Sequence, residues 1–142
     1  MKYNKNNHKK YYLQAHLVFV VKYRKAILTH TIAKRVKETI YDISNANNWE
    51  IKAMETDKDH IHILLSYSPN ERVCDIVKTL KQKTSHEVWS YHERYLSKCF
   101  WKRKFFWSDG YFCCAVGDAS TETIEQQFRP TTQREVGFLA IY

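Results

Sequence analysis

The chain has 142 residues, 44% hydrophobic and 15% aromatic, with 3 Gly and 2 Pro, which excludes a disordered, collagen-like or low-complexity protein and fits one compact domain. Its 23 Lys and Arg against 15 Asp and Glu leave a net charge of +8 at pH 7, an excess that points to a polyanionic partner, nucleic acid foremost. The apolar run Leu17-Val18-Phe19-Val20-Val21 is stopped by Lys22, far short of the ~18–20 residues that cross a bilayer. No cleavage-site pattern follows the basic N-terminal decapeptide, so the expected location is cytoplasmic, with no membrane partner.

From Tyr11 to Val21 the residues alternate. Leu13, Ala15, Leu17, Phe19 and Val21 face one side and Gln14, His16, Val18 and Val20 the other, which predicts a strand. Thr29 or Thr31 can cap a helix reaching about Asn47, with Ile32, Val36, Ile40 and Ile43 at helical spacing. Trp49–Glu55 and Asp59–Ser66 read as strands joined by the polar turn Thr56-Asp57-Lys58-Asp59. Asn70 starts a second helix with the stripe Val73, Ile76, Val77 and Leu80, continuing after a break through Val88 and Trp89. Past Phe105-Phe106-Trp107 and the turn Ser108-Asp109-Gly110, Tyr111–Val116 reads as a fourth strand, and Ser120 or Thr121 opens a last helix.

The order β-α-β-β-α-β predicts an α+β, ferredoxin-like or RNA-recognition-like antiparallel sheet with helices on one face and an appended C-terminal helix. The opposite face is left open, which on a basic protein suits nucleic acid. Four cysteines, Cys74, Cys99, Cys113 and Cys114, have neither disulfide-framework nor zinc-knuckle spacing, so reduced thiols are expected.

The most informative stretch is Asp59-His60-Ile61-His62-Ile63-Leu64. Period two puts His60 and His62 on one face, ~7 Å apart along the strand, while Ile61, Ile63 and Leu65 face the core. Two readings stand at this point: exposed strand histidines, or a pair that binds one divalent ion with a third ligand from elsewhere. Basic and aromatic residues interleave in Lys22-Tyr23-Arg24-Lys25, in Lys78 to Lys83 with Lys81 and Lys83 as candidates, and in Trp101-Lys102-Arg103-Lys104. This composition suits phosphates and stacked bases, or else a solvated cationic face over buried aromatics.

The segment His16–Lys25, the hairpin end Thr56–Leu64, and Trp107-Ser108-Asp109-Gly110-Tyr111-Phe112 with Val116-Gly117 together resemble the small insertion-sequence transposases of the single-tyrosine HUH class. The resemblance runs in order from about His16 to Ile124. It implies a homodimeric single-strand DNA endonuclease and strand transferase that binds hairpin ends of a mobile element. It further implies that His60 and His62 hold Mg²⁺ or Mn²⁺ and that a tyrosine on the last helix attacks the scissile phosphate, leaving a phosphotyrosine and a free 3′-OH. His16 is a possible metal or phosphate contact. Asp57 and Asp59 flank the pair, where turn formation is an alternative to any role at the metal.

The pattern then breaks. Counting from Gly117, the resemblance places the nucleophilic tyrosine at Gln127 and the family's ligand Gln at Thr131, with Pro130 interrupting the helix. An amide cannot form the phosphotyrosine ester. The sequence thus divides into a basic arm at 1–10, a transposase domain at 11–128 and a divergent tail at 129–142. Three accounts of the break stand open: a frameshifted or decayed copy, a catalytically dead binder, or an enzyme using another tyrosine, for which Tyr142 is the candidate. A frameshift predicts an intact tyrosine-containing frame in the coding DNA. Gln126, Gln127 and Gln133 are further possible ligands through amide oxygen, and Glu122 or Glu125 suit a hard cation better. The rival reading from another class is a non-catalytic single-stranded DNA or RNA hairpin-binding module that uses the open sheet face, with both histidines touching nucleic acid.

Overall fold

The computed structural model describes residues 13–116. The arm at 1–10, Tyr11, Tyr12 and everything beyond Val116, including the expected last helix, lie outside the described residues.

Alternating apolar residues form β1 (Leu13–Val20), whose Ala15, Leu17 and Phe19 are fully buried. Helix α1 (His30–Asn47) starts after Thr29, which has extended backbone but makes no side-chain cap bond, and it buries Ile32, Val36, Ile40 and Ile43. It stops at Asn48 in the left-handed region (φ 61°), a conformation asparagine tolerates better than most residues. Strands β2 (Glu50–Thr56) and β3 (His60–Tyr67) pair antiparallel, with a register shift between Ile51 and Ala53. The last strand, β4, is Phe112–Val116.

Helix α2 departs from expectation at both its start and its middle. It spans Val73–Cys99, beginning after Arg72 rather than at Asn70. The Asn70 N–H donates to Ser68 Oγ (3.2 Å) and the Glu71 N–H to the Ser68 carbonyl (2.9 Å), so Ser68 organises a turn before the helix. The expected break between Leu80 and Val88 is absent because Thr84 fills the core stripe. Its hydroxyl donates to the Leu80 carbonyl at 2.7 Å and accepts the Trp107 indole N–H at 2.8 Å. The helix kinks instead at His92 (φ −131°, ψ 33°).

The sheet order is β2-β3-β1-β4, all neighbours antiparallel. One continuous core joins the inner sheet face (Leu17, Phe19, Ile61, Ile63, Leu65) to both helices through Val36, Ile40, Ile76, Leu80 and Val88. Each such side chain contributes roughly 1.5–3 kcal/mol on burial. The other face is less bare than its polar neighbours suggest: Val18 and Val20 are buried there and pack with Phe112.

The end of β1 is stitched to two loops. The Val21 N–H donates to the Asp59 carbonyl at 2.8 Å, the Lys22 N–H to Phe106 at 2.8 Å, and the Ser108 N–H to Val20 at 2.7 Å. These bonds fix the turn after β1 against both the β2–β3 hairpin tip and the segment before β4.

Candidate nucleic-acid and metal site

Residues on β3 alternate between faces, so His60 and His62 sit together on the side away from the helices, both half-buried, with ring centroids 5.0 Å apart. His16 comes from the neighbouring strand β1, its ring 6.1 Å from that of His62. Burial, followed by the charges of His60 and His16 and against the pull of Asp57, holds the His62 pKa down to about 4. Its imidazole is therefore neutral at physiological pH, the form a metal ligand requires. Two neutral-capable nitrogens on one face fit two positions around a borderline or hard divalent cation. Among the described residues no three His, Cys, Asp or Glu side chains are grouped so as to hold an ion.

The two aspartates divide their work. Asp57 accepts the Lys58 N–H at 2.8 Å and donates its own N–H to the His60 carbonyl at 2.8 Å, as a turn residue does. Asp59 instead faces two cations or donors: Oδ1 lies 2.8 Å from His60 Nδ1, and Oδ2 accepts from Arg24 Nε at 3.3 Å. Partial burial would raise the Asp59 carboxyl, but the His60 hydrogen bond and the Arg24 guanidinium outweigh it and hold its pKa below the usual value.

Arg24 belongs to the short 3-10 turn Lys22–Arg24, which also presents Tyr23 outward at 67% exposure. Tyr23 meets Phe105 edge-on (5.9 Å between centroids) and Phe100 at 6.4 Å. Cations ring these aromatics. Lys22 Nζ stands 4.8 Å from the Phe105 centroid, Lys25 Nζ 5.8 Å from Phe100, and Arg103 Cζ 5.9 Å from Phe105. Beside them Trp101, 78% exposed, lies under Lys102 at 5.4 Å. The turn and the 100–105 segment, about 80 positions apart in sequence, thus make one basic surface with exposed π-faces.

Lys81 is placed differently from the expectation of a phosphate contact. Its ammonium donates to the carbonyls of Ser108 (2.7 Å), Gly110 (2.9 Å) and Asp109 (3.2 Å), fastening the loop before β4. Burial, with the Lys22 charge adding and Asp109 opposing, lowers its pKa to about 8. Lys83 is exposed on α2 and lines a groove with Arg35, Asp42 and His86 between the helices. Gln127, Gln133 and Tyr142 lie outside the described residues. Sequence reading missed the Arg24–Asp59 pair, since nothing in the spacing of residues 35 positions apart announces it. It also missed Phe100 and Phe105 as the base of the basic surface, although their place on either side of Trp101-Lys102-Arg103-Lys104 was a usable signal.

The family model described as "Transposase IS200 like" matches residues 9–127. The ISDra2 transposase TnpA of Deinococcus radiodurans is 29% identical over 125 residues, covering 88% of each chain. Among solved structures, a putative transposase from Deinococcus radiodurans superposes with a TM-score of 0.67 at 28% identity, over 84% of this chain and 88% of the other. A REP-associated tyrosine transposase bound to a REP hairpin gives 0.60 at 13% identity, over 87% and 69%, a likeness of fold.

Proposed function

The chain belongs to the family of IS200-like transposases, and from that membership we propose that it binds hairpin-forming single-stranded DNA as a homodimer and holds a phosphate of that strand at its histidine face. The observation that carries this reading is a juxtaposition. The basic-aromatic turn Lys22–Lys25 and the His60–His62 pair are joined through one ion pair, Arg24 with Asp59. Lys22, Lys25, Lys102 and Arg103 would neutralise phosphates while Tyr23 and Trp101 offer faces to unpaired bases. A fold relative bound to a REP hairpin fits the same use of this architecture.

His60 and His62 would hold Mg²⁺ or Mn²⁺, which when bound polarises a phosphate oxygen as a Lewis acid. Arg24 shares its charge between Asp59 and the approaching strand, and buried Val18 and Val20 with partly buried Phe112 give the histidine face a partly apolar floor. The family match ends at Gln127, the position to which the resemblance assigns the nucleophilic tyrosine. An amide is no nucleophile for phosphoryl transfer and cannot carry the DNA as an ester. We therefore read this chain as one that retains hairpin recognition and the histidine pair while strand cleavage through position 127 is lost.

Incubating the protein with labelled hairpin DNA carrying a single-stranded flank and Mn²⁺, followed by a denaturing gel, tests this. Binding in a native assay without a covalent band is the expected result. A covalent band abolished by His60→Ala overturns the loss of cleavage, and peptide mapping of the adduct, to Tyr142 or another residue, then identifies the nucleophile. Absence of any hairpin binding overturns the recognition itself.

A further inference from the structure

The segment that carries Arg24 is strained. Tyr23 (φ 60°) and Arg24 (φ 52°) are two successive non-glycine residues in the left-handed region, which L-residues enter at an energetic cost. Backbone bonds hold them there. The Arg24 N–H donates to the Val21 carbonyl at 2.7 Å, the Val21 N–H to Asp59 at 2.8 Å, and the Leu28 N–H to Lys58 at 2.8 Å. The turn is thus pinned to the β2–β3 tip on both sides of Arg24, and its guanidinium arrives at Asp59 Oδ2 while Oδ1 stays on His60 Nδ1. A turn-forming aspartate needs neither contact, and the neighbouring Asp57 forms the turn without them.

The hydrogen-bond roles follow from this arrangement. A carboxylate paired with a guanidinium only accepts, so the 2.8 Å contact requires the proton on His60 Nδ1. In a neutral imidazole the Nε2 lone pair is then bare. We infer that Asp59, set in place by Arg24, is a positioning residue that fixes His60 as its Nδ1–H tautomer and so presents Nε2 as the donor for a divalent cation. The inference deepens the proposed function and rests on its assignment of His60 and His62 to that cation. It also explains why the strain is placed in this turn: the same three residues that offer Tyr23 to DNA deliver the group that orients the ligand.

The test uses the full chain, ¹⁵N-labelled. Long-range ¹H–¹⁵N correlation spectra without metal read the His60 tautomer, Mn²⁺ titration followed by electron paramagnetic resonance reads affinity, and thermal melts in EDTA check folding. The unsubstituted chain is expected to show the Nδ1–H form. Asp59→Ala is expected to restore the ordinary Nε2–H form and weaken Mn²⁺ binding by about tenfold or more. Asp59→Asn, whose amide oxygen still accepts, should keep the tautomer and lose less, and Arg24→Ala should fall between. Folded Asp59→Ala protein that keeps the Nδ1–H form, or binds Mn²⁺ as tightly as the parent, overturns the inference. Should that variant fail to fold, Arg24→Ala with unchanged tautomer and unchanged affinity overturns it. If the parent binds Mn²⁺ and His62→Ala abolishes binding while Asp59→Ala does not alter it, the positioning role alone falls. If the parent takes up no Mn²⁺, the metal assignment falls with it.

Discussion

Replacing Lys81 by methionine separates a structural lysine from a DNA-binding one. Methionine keeps most of the aliphatic stem and removes the ammonium, which serves three carbonyls and stands 5.7 Å from the Phe19 and Tyr111 ring centroids. A hydrogen bond to a charged group nets about 1.5–3 kcal/mol, but water can reach the carbonyl of exposed Asp109, and burying the amine already has a desolvation cost. The net loss should be about 2 kcal/mol, or ~4–8 °C in Tm for a domain near this size. Urea unfolding followed by tryptophan fluorescence measures it. Hairpin affinity across a salt series should keep the parent's slope, whereas loss of a true phosphate contact lowers that slope by roughly 0.7–0.9. A reduced slope with unchanged stability would instead make Lys81 a phosphate contact. The pH dependence gives a second check. The folded-state pKa lies near 8, below the ordinary 10.5, so between these values the unfolded chain holds the extra proton and stability gains with rising pH. That gain should vanish in Lys81→Met.

Thr84→Val removes the hydroxyl that accepts the buried Trp107 indole N–H at 2.8 Å and should cost about 1–2 kcal/mol in urea unfolding. Its effect should shrink when combined with Trp107→Phe, and additive losses would contradict the pairing. The His62 pKa near 4 lies below the ordinary 6.5, so stability should fall as pH drops through that interval, and His62→Asn should flatten the fall in an acid titration of Tm. Trp101→Ala and Tyr23→Ala should each weaken hairpin binding by about 1–3 kcal/mol, measured by fluorescence anisotropy, if a base stacks on each exposed ring.

Much of the scaffold was written in period-two and helical patterns. Leu17, Phe19, Ile61 and Ile63 announced the inner sheet face, and Ile32, Val36 and Ile40 the first helix, because burial on one side imposes those spacings. The expected break in the second helix is absent because Thr84, a hydroxyl in an apolar stripe, finds a partner in Trp107, 23 positions away. Alternation places Val18 and Val20 on the second face, but their burial depends on Phe112 in a strand formed far along the chain. At the site, the His60–His62 face was legible from alternation alone. The direction in which Lys81 and Arg24 spend their charge was not, since a cation's partner is chosen by tertiary geometry and leaves no local spacing.

The histidine-bearing strands occupy the middle of the sheet. With β2 and β4 outside them, β1 and β3 have hydrogen-bonded neighbours on both flanks, so their amides should be among the slowest to exchange with deuterated solvent. The two imidazoles of β3 and that of His16 on β1 therefore ride on backbone whose inner face is the hydrophobic core. Such a placement uncouples inheritance of the scaffold from inheritance of the reaction. On the proposed reading, a nucleophile supplied from elsewhere would meet a histidine face still in register.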